Sequence, residues 1–237
     1  VNAKYDDGTE LAMAIGAYNS YSDLYYARFS NTDGVYLIET KYYRYFAYTL
    51  NQLATPEDMP SVRSSTIESV DITGGPDGDF SMRLAQEGEL YSDDYKFVTQ
   101  ASNGAVVGVD PDTSKQMVNE IGDMETYACH NYDATDEEKA EVGVNGSHVI
   151  TVKYSADGVP QTLKLDVGDV DDEGYRYAVI NDSRMIVLIT DVTLGWMVNT
   201  SDNSARTKEI CALTQRDVTA MKVTYGGRTY DFGVNWK

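Results

Sequence analysis

Apolar and polar residues alternate with a two-residue period over much of this chain, and that period predicts strands. The clearest run is 148–154, where Ile150, Val152 and Tyr154 take one face and Val149, Thr151 and Lys153 the other. Asp157-Gly158 supplies a hairpin turn, and 162–167, 175–181 and 185–189 continue the pattern into a four-stranded antiparallel meander. Upstream, 67–73 and 79–84 are expected to pair across a turn in which Gly74, Gly75 and Gly78 allow positive φ and Pro76 fixes its own. Short strands are expected at 95–99 and 105–109. Helical spacing intervenes in a few places. Asp110-Pro111 reads as an N-cap with proline in the first turn, opening a helix whose Met117, Val118 and Ile121 form one stripe and which stops near Gly122. An extended stretch at 126–131 and an acidic helix at 135–141, ended by Gly143, follow it. Asp191 or Thr193 caps a short helix through Trp196 and Met197. Near the N-terminus, Thr40 caps a single helix with an apolar face of Tyr43, Phe46, Ala47, Leu50 and Leu53, ended by Thr55-Pro56. Strands grouped into hairpins and meanders with a few short helices packed on the sheet predict an α+β fold built from tandem units of mostly antiparallel sheet.

The pattern repeats at long range. Lys4-Tyr5, Gly8, Ile15-Gly16, Tyr26-Ala27 and 35–38 recur as Lys153-Tyr154, Gly158, Val167-Gly168, Tyr177-Ala178 and 186–189, offset by 149 to 152 positions. Val70-Asp71-Ile72-Thr73 and Asp79-Phe80 recur as Met221-Lys222-Val223-Thr224 and Asp231-Phe232. Such a period is that of a domain and points to duplication rather than a solenoid. Residues 1–58 then read as the C-terminal half of a first unit, 59–215 as a complete unit, and 216–237 as the opening hairpin of a further one. The proline- and acid-bearing stretch 56–60 is the expected linker. A half-unit leaves apolar surface and a strand edge uncovered, so the hairpin formed by 218–225 and 228–234 is expected to dock onto residues 1–58, within one chain or between neighbouring chains.

The run 149–154 with Asp157-Gly158, Leu163-Lys164-Leu165, Gly168, Gly174-Tyr175-Arg176-Tyr177-Ala178 and Ile186-Val187-Leu188 resembles domain-of-unknown-function family 4340. The likeness spans nearly the whole chain. It departs from the family at Val142-Gly143-Val144 with Ser147, where a Tyr-Gly-Leu stretch and proline are usual, and at Tyr95 or Phe97, which stand where a third-strand tryptophan is usual. The resemblance implies a bacterial extracytoplasmic protein of the cell envelope, tethered by an upstream membrane helix and sometimes encoded beside ABC-type transport genes, with no established activity.

Charge narrows the partners. Nineteen Lys and Arg stand against 38 Asp and Glu, a net charge of −19 spread along the chain, which disfavours nucleic acid as a partner. Cys129 and Cys211 are too few for a disulfide framework, and two separate thiols are expected. Asp166, Asp169, Asp171, Asp172 and Glu173 form the densest acidic cluster. Asp169, Asp171, Glu173 and Gly174 match the start of an EF-hand loop, but Ile180 stands where the bidentate acid belongs, so a solvated turn is the preferred reading. His130 and His148 have no second ligand at metal spacing apart from Cys129, which points to the opposite face of a strand from its neighbour His130. No phosphate loop, dinucleotide fingerprint or nucleophile elbow occurs. Accordingly no catalytic residue, metal ligand or cofactor is assigned. The expected function is a non-enzymatic envelope module that binds a protein, with transport components as candidate partners. The alternative is a carbohydrate or peptidoglycan binder using Tyr18, Tyr21 and Tyr25, or Tyr42, Tyr45 and Tyr48, as stacking platforms.

Overall fold

A computed structural model describes residues 1–89, 95–101, 104–208 and 218–233. The chain is α+β, and its described strands form three antiparallel sheets. The first sheet is a meander of β1 (Asn2–Lys4), β2 (Glu10–Asn19), β3 (Leu24–Phe29) and β4 (Val35–Glu39), in sequence order. Two short helices follow, α1 (Thr40–Ala47) and α2 (Leu50–Leu53), where one helix was expected. Thr49 explains the break. Its hydroxyl accepts from the Gln52 amide while the Gln52 side chain accepts from the Thr49 amide, a capping box that starts a new helix. Thr40 is likewise the first helical residue rather than the cap, and its hydroxyl donates to the Asp23 carbonyl.

The second sheet has nine strands: β5 (Ile67–Thr73), β6 (Phe80–Leu84), β7 (Phe97–Gln100), β8 (Val106–Gly108), β9 (Ala128–Asn131), β10 (Val149–Ala156), β11 (Val159–Val170), β12 (Tyr175–Ile180) and β13 (Ile186–Thr190). Their spatial order is β8-β7-β6-β5-β10-β11-β12-β13-β9. The meander β10 to β13 is therefore flanked by the β5–β6 hairpin on one side and by β9 on the other. Four helices accompany it: α3 (Pro111–Gly122), α4 (Asp136–Glu141), α5 (Asp191–Val198) and α6 (Asp202–Ala205). Asp110 caps α3 by accepting from the Thr113 amide, and Thr135 and Glu138 form a capping box on α4. Helix α5 starts at Asp191 behind Thr190, which makes no side-chain cap. Asp191 is instead ion-paired to Arg176 on β12.

One large core lies between this sheet and helices α3 and α5. Alternate residues of β5, β6, β10 and β11, among them Val70, Ile72, Phe80, Met82, Val152 and Leu165, are at most 1% exposed. Met117 and Ile121 of α3 and Leu194 and Met197 of α5 close over them. Each such side chain contributes about 1.5–3 kcal/mol through burial. A smaller cluster of Ala134, Val144, Val179 and Ile186 forms separately. The stretch 56–60 is fastened to this body. Glu57 accepts from Thr126 and Ser183, and Met59 packs on the main core.

The third sheet is a lone hairpin of β14 (Ala220–Tyr225) and β15 (Arg228–Gly233). Gly226 and Gly227 both have positive φ (58° and 74°), the geometry of a two-residue hairpin turn. This tight turn shifts the sequence echo. Phe80 pairs with Ile72, whereas Phe232 pairs with Met221, the counterpart of Val70, and so stands at the position of Met82.

Candidate interaction site

Residue pairing shows that the first sheet reproduces β10 to β13. Ala3 opposes Leu11 as Val152 opposes Leu163; Met13 opposes Phe29 as Leu165 opposes Ile180; Tyr25 opposes Ile38 as Arg176 opposes Ile189. Even the register shift recurs, between Ile15 and Tyr18 in one sheet and between Val167 and Val170 in the other. The surroundings differ. In the nine-stranded sheet the outer edge of β10 carries β5, while β1 pairs only with β2 among the described residues.

The consequence is an open apolar groove of about 380 Å³ on the first sheet, lined by residues of β1, β2, β3, β4 and α1. Val1, Tyr5, Tyr42 and Phe46 on its walls are 51%, 53%, 48% and 47% exposed. Of the apolar residues before position 59, only Met13 and Ala27 are buried. A groove of this size beside an unpaired strand edge has what strand addition requires. The edge supplies backbone hydrogen bonds and the groove supplies side-chain pockets.

The tyrosines give a second surface. Tyr25 stacks on Tyr43 at 3.8 Å between ring centroids, and Tyr18 tilts against Tyr25 at 5.2 Å. The Tyr18 hydroxyl donates to Asp23 at 2.7 Å, and that bond holds its pKa above the usual phenol value. Tyr21, Tyr45 and Tyr48 are exposed, whereas Tyr42 belongs to the groove. Position 25 is the counterpart of Arg176, so an aromatic stack here replaces the Arg176–Asp191 ion pair there.

The sequence candidates for other chemistry are dispersed. The acidic cluster is split: Asp171, Asp172 and Glu173 lie in the β11–β12 turn, where Asp171 accepts from the amides of Glu173 and Tyr175, while Asp166 and Asp169 lie on β11, Asp166 accepting from the amide of Gly146. Among the described residues no three His, Cys, Asp or Glu side chains come close enough to share a metal ion. His130 and Tyr177 make a T-shaped contact, 4.7 Å between ring centroids. His148 immediately precedes β10, near Gly74. Cys129 is a half-buried free thiol on β9; burial, with a lesser effect of Glu57, raises its pKa. That shift makes it a poorer nucleophile. Cys211 lies outside the described residues. A cavity of about 560 Å³ between 58–61 and 122–126 is polar and acidic, carrying Asp58, Asp123 and Glu125.

No described helix is long and apolar enough to cross a membrane. Comparison of the chain with protein-family models, with curated proteins and with solved structures found no match.

Proposed function

We propose that this protein is a non-enzymatic interaction module of the cell envelope that takes a strand of a protein partner along the free edge of β1. The observation that carries this reading is the contrast between two sheets with the same pairing. The groove residues are open in one, while their counterparts form the covered core of the other. An apolar surface of this kind beside unpaired backbone groups favours protein association. The extracytoplasmic placement, the upstream membrane tether and transport components as partners rest on the resemblance to domain-of-unknown-function family 4340. The net charge of −19 argues against nucleic acid.

Photo-crosslinking tests the mode of binding. With benzoylphenylalanine at Tyr5 or Phe46, in cells that make the protein, covalent adducts to another polypeptide are expected. The same probe at Tyr21, a fully exposed residue of the β2–β3 turn, is expected to give none. Adducts at Tyr21 alone, or at no position, would overturn strand addition.

The exposed Tyr45 and Tyr48 favour one further reading, a saccharide-stacking surface. Against it, Tyr25 already spends one face on Tyr43. A titration with peptidoglycan fragments that quenches tyrosine fluorescence, and loses the effect in Tyr45→Ala, would support this reading over the first.

A further inference from the structure

We infer that the occupant of the groove is the β14–β15 hairpin of a second copy of this chain, so that copies join head to tail. This rests on the strand-addition reading and names its partner. The first ground is the template inside the molecule itself. In the nine-stranded sheet the edge of β10 is covered by β5, with Val70 opposite Val152, Asp71 opposite Thr151 and Ile72 opposite Ile150. The groove residues Val1, Ala3, Leu11, Met13, Phe29 and Phe46 correspond to Ile150, Val152, Leu163, Leu165, Ile180 and Met197, which are 0–4% exposed. On the β10 side a hairpin continues the sheet beside those counterparts, and α3 and α5 close over them.

The second ground is the hairpin at the other end of the chain. Strands β14 and β15 pair only with each other among the described residues, and every one of their residues is exposed. Met221 pairs with Phe232, Val223 with Tyr230 and Tyr225 with Arg228, so these six share one face, apolar except for Arg228 beside the turn. Lys222, Thr224, Thr229 and Asp231 share the other. Four of the apolar five are 39–50% exposed and Tyr225 is 81% exposed. The pairs Met221–Phe232 and Val223–Tyr230 present the same one-sided apolar surface as Val70–Met82 and Ile72–Phe80, which are at most 1% exposed.

The third ground is register. Transferring the β5–β10 pairing to β14 and β1 sets Met221 opposite Ala3, Lys222 opposite Asn2 and Val223 opposite Val1. The apolar face of the hairpin then enters the groove and its polar face meets solvent. A shift of one residue would bury Lys222 instead, so the side-chain pattern specifies the alignment. The completed sheet reads β15-β14-β1-β2-β3-β4, the order of β6-β5-β10-β11-β12-β13. Each copy carries one donor hairpin and one acceptor groove, so the contact is heterologous and gives rings or open chains rather than only a two-fold dimer.

Light scattering on the purified 237-residue chain over a wide concentration range tests this. The wild-type chain is expected to pass from monomer to dimer and longer species. Met221→Asp, on the hairpin, and Phe46→Asp, on the groove wall, each change an exposed residue, and each is expected to weaken association about tenfold or more. Mixed in equal amounts, the two variants are expected to form a complex of two copies that stops there, because one keeps the groove and the other the hairpin. Register is read in a Cys129→Ser, Cys211→Ser background. Ala3→Cys with Met221→Cys is expected to form a disulfide between copies, and Ala3→Cys with Lys222→Cys is not. A wild-type chain that stays monomeric, association that persists in both Asp variants, or a disulfide formed within one copy would each overturn the proposal. A synthetic hairpin of residues 218–233 separates the two claims. If it binds a wild-type chain that does not self-associate, strand addition stands and the second copy falls. If it does not bind, the second copy falls, and strand addition is decided by the photo-crosslinking at Tyr5 and Phe46.

Discussion

Gly168 and Gly16 occupy the same bulge in the two sheets, yet their surroundings differ. A Cβ on Gly168 would lie 2.3 Å from the Val142 carbonyl and 2.9 Å from a Val144 methyl, whereas one on Gly16 would meet Tyr26 at an ordinary 3.7 Å. Gly168→Ala is therefore expected to cost about 1–3 kcal/mol, because backbone must move to admit the methyl. Gly16→Ala should stay within about 0.5 kcal/mol. Urea melts of the two variants provide the comparison, and equal losses would refute it. Ionisation supplies another test at this scale. Glu89 accepts two bonds from Arg83 and one from the Gln86 amide, and these hold its pKa at about 2, down from 4.5. A carboxylate with a lowered folded-state pKa adds stability that is fully present above its unfolded value and is lost as pH falls through the folded one. Thermal melts of wild type and Glu89→Gln should thus differ most above pH 4.5 and converge toward pH 2. A constant difference across that window would refute the assignment.

Among the elements, those with an uninterrupted local signal could be read from the sequence. Alternation marked β10 to β13, and Asp110-Pro111 marked α3, because both signals involve residues a few positions apart. The break between α1 and α2 is not legible in the apolar pattern. The apolar spacing from Tyr43 to Leu53 continues through it, while the Thr49–Gln52 capping box acts against that continuity. Thr49→Ala should remove the box and cost about 1 kcal/mol, to be measured as faster amide exchange at 50–53. The addition of β9 beside β13, and of β5 beside β10, has no local signature, since each pairing joins distant segments. The groove was legible only in outline. The repeat indicated a half-unit with missing cover, but which side chains lose that cover depends on strand order.

At the scale of the whole molecule, stability is unevenly distributed. The large core belongs to the nine-stranded sheet, and the first sheet has only Met13 and Ala27 as buried apolar residues. Amides of 10–39 are therefore expected to exchange faster than those of 149–190, and addition of the 218–233 peptide should slow the former without altering the latter. Charge acts on assembly as well. Copies carrying −19 repel one another, so added sodium chloride should strengthen self-association. Weakening by salt would show instead that ion pairs drive the contact.

The tight Gly226-Gly227 turn has a consequence for rates. Strands β14 and β15 are joined by two residues, so the donor forms through local contacts, on a scale of about 1–10 μs. An isolated two-stranded hairpin is only marginally stable in water, so a fraction of donors is open at any instant. Reclosure is much faster than diffusional encounter at micromolar concentration. The open fraction therefore lowers the apparent affinity without introducing a slow step. Stopped-flow mixing of the two complementary Asp variants should give an observed rate that rises linearly with concentration. A plateau would reveal a slow rearrangement of the groove instead.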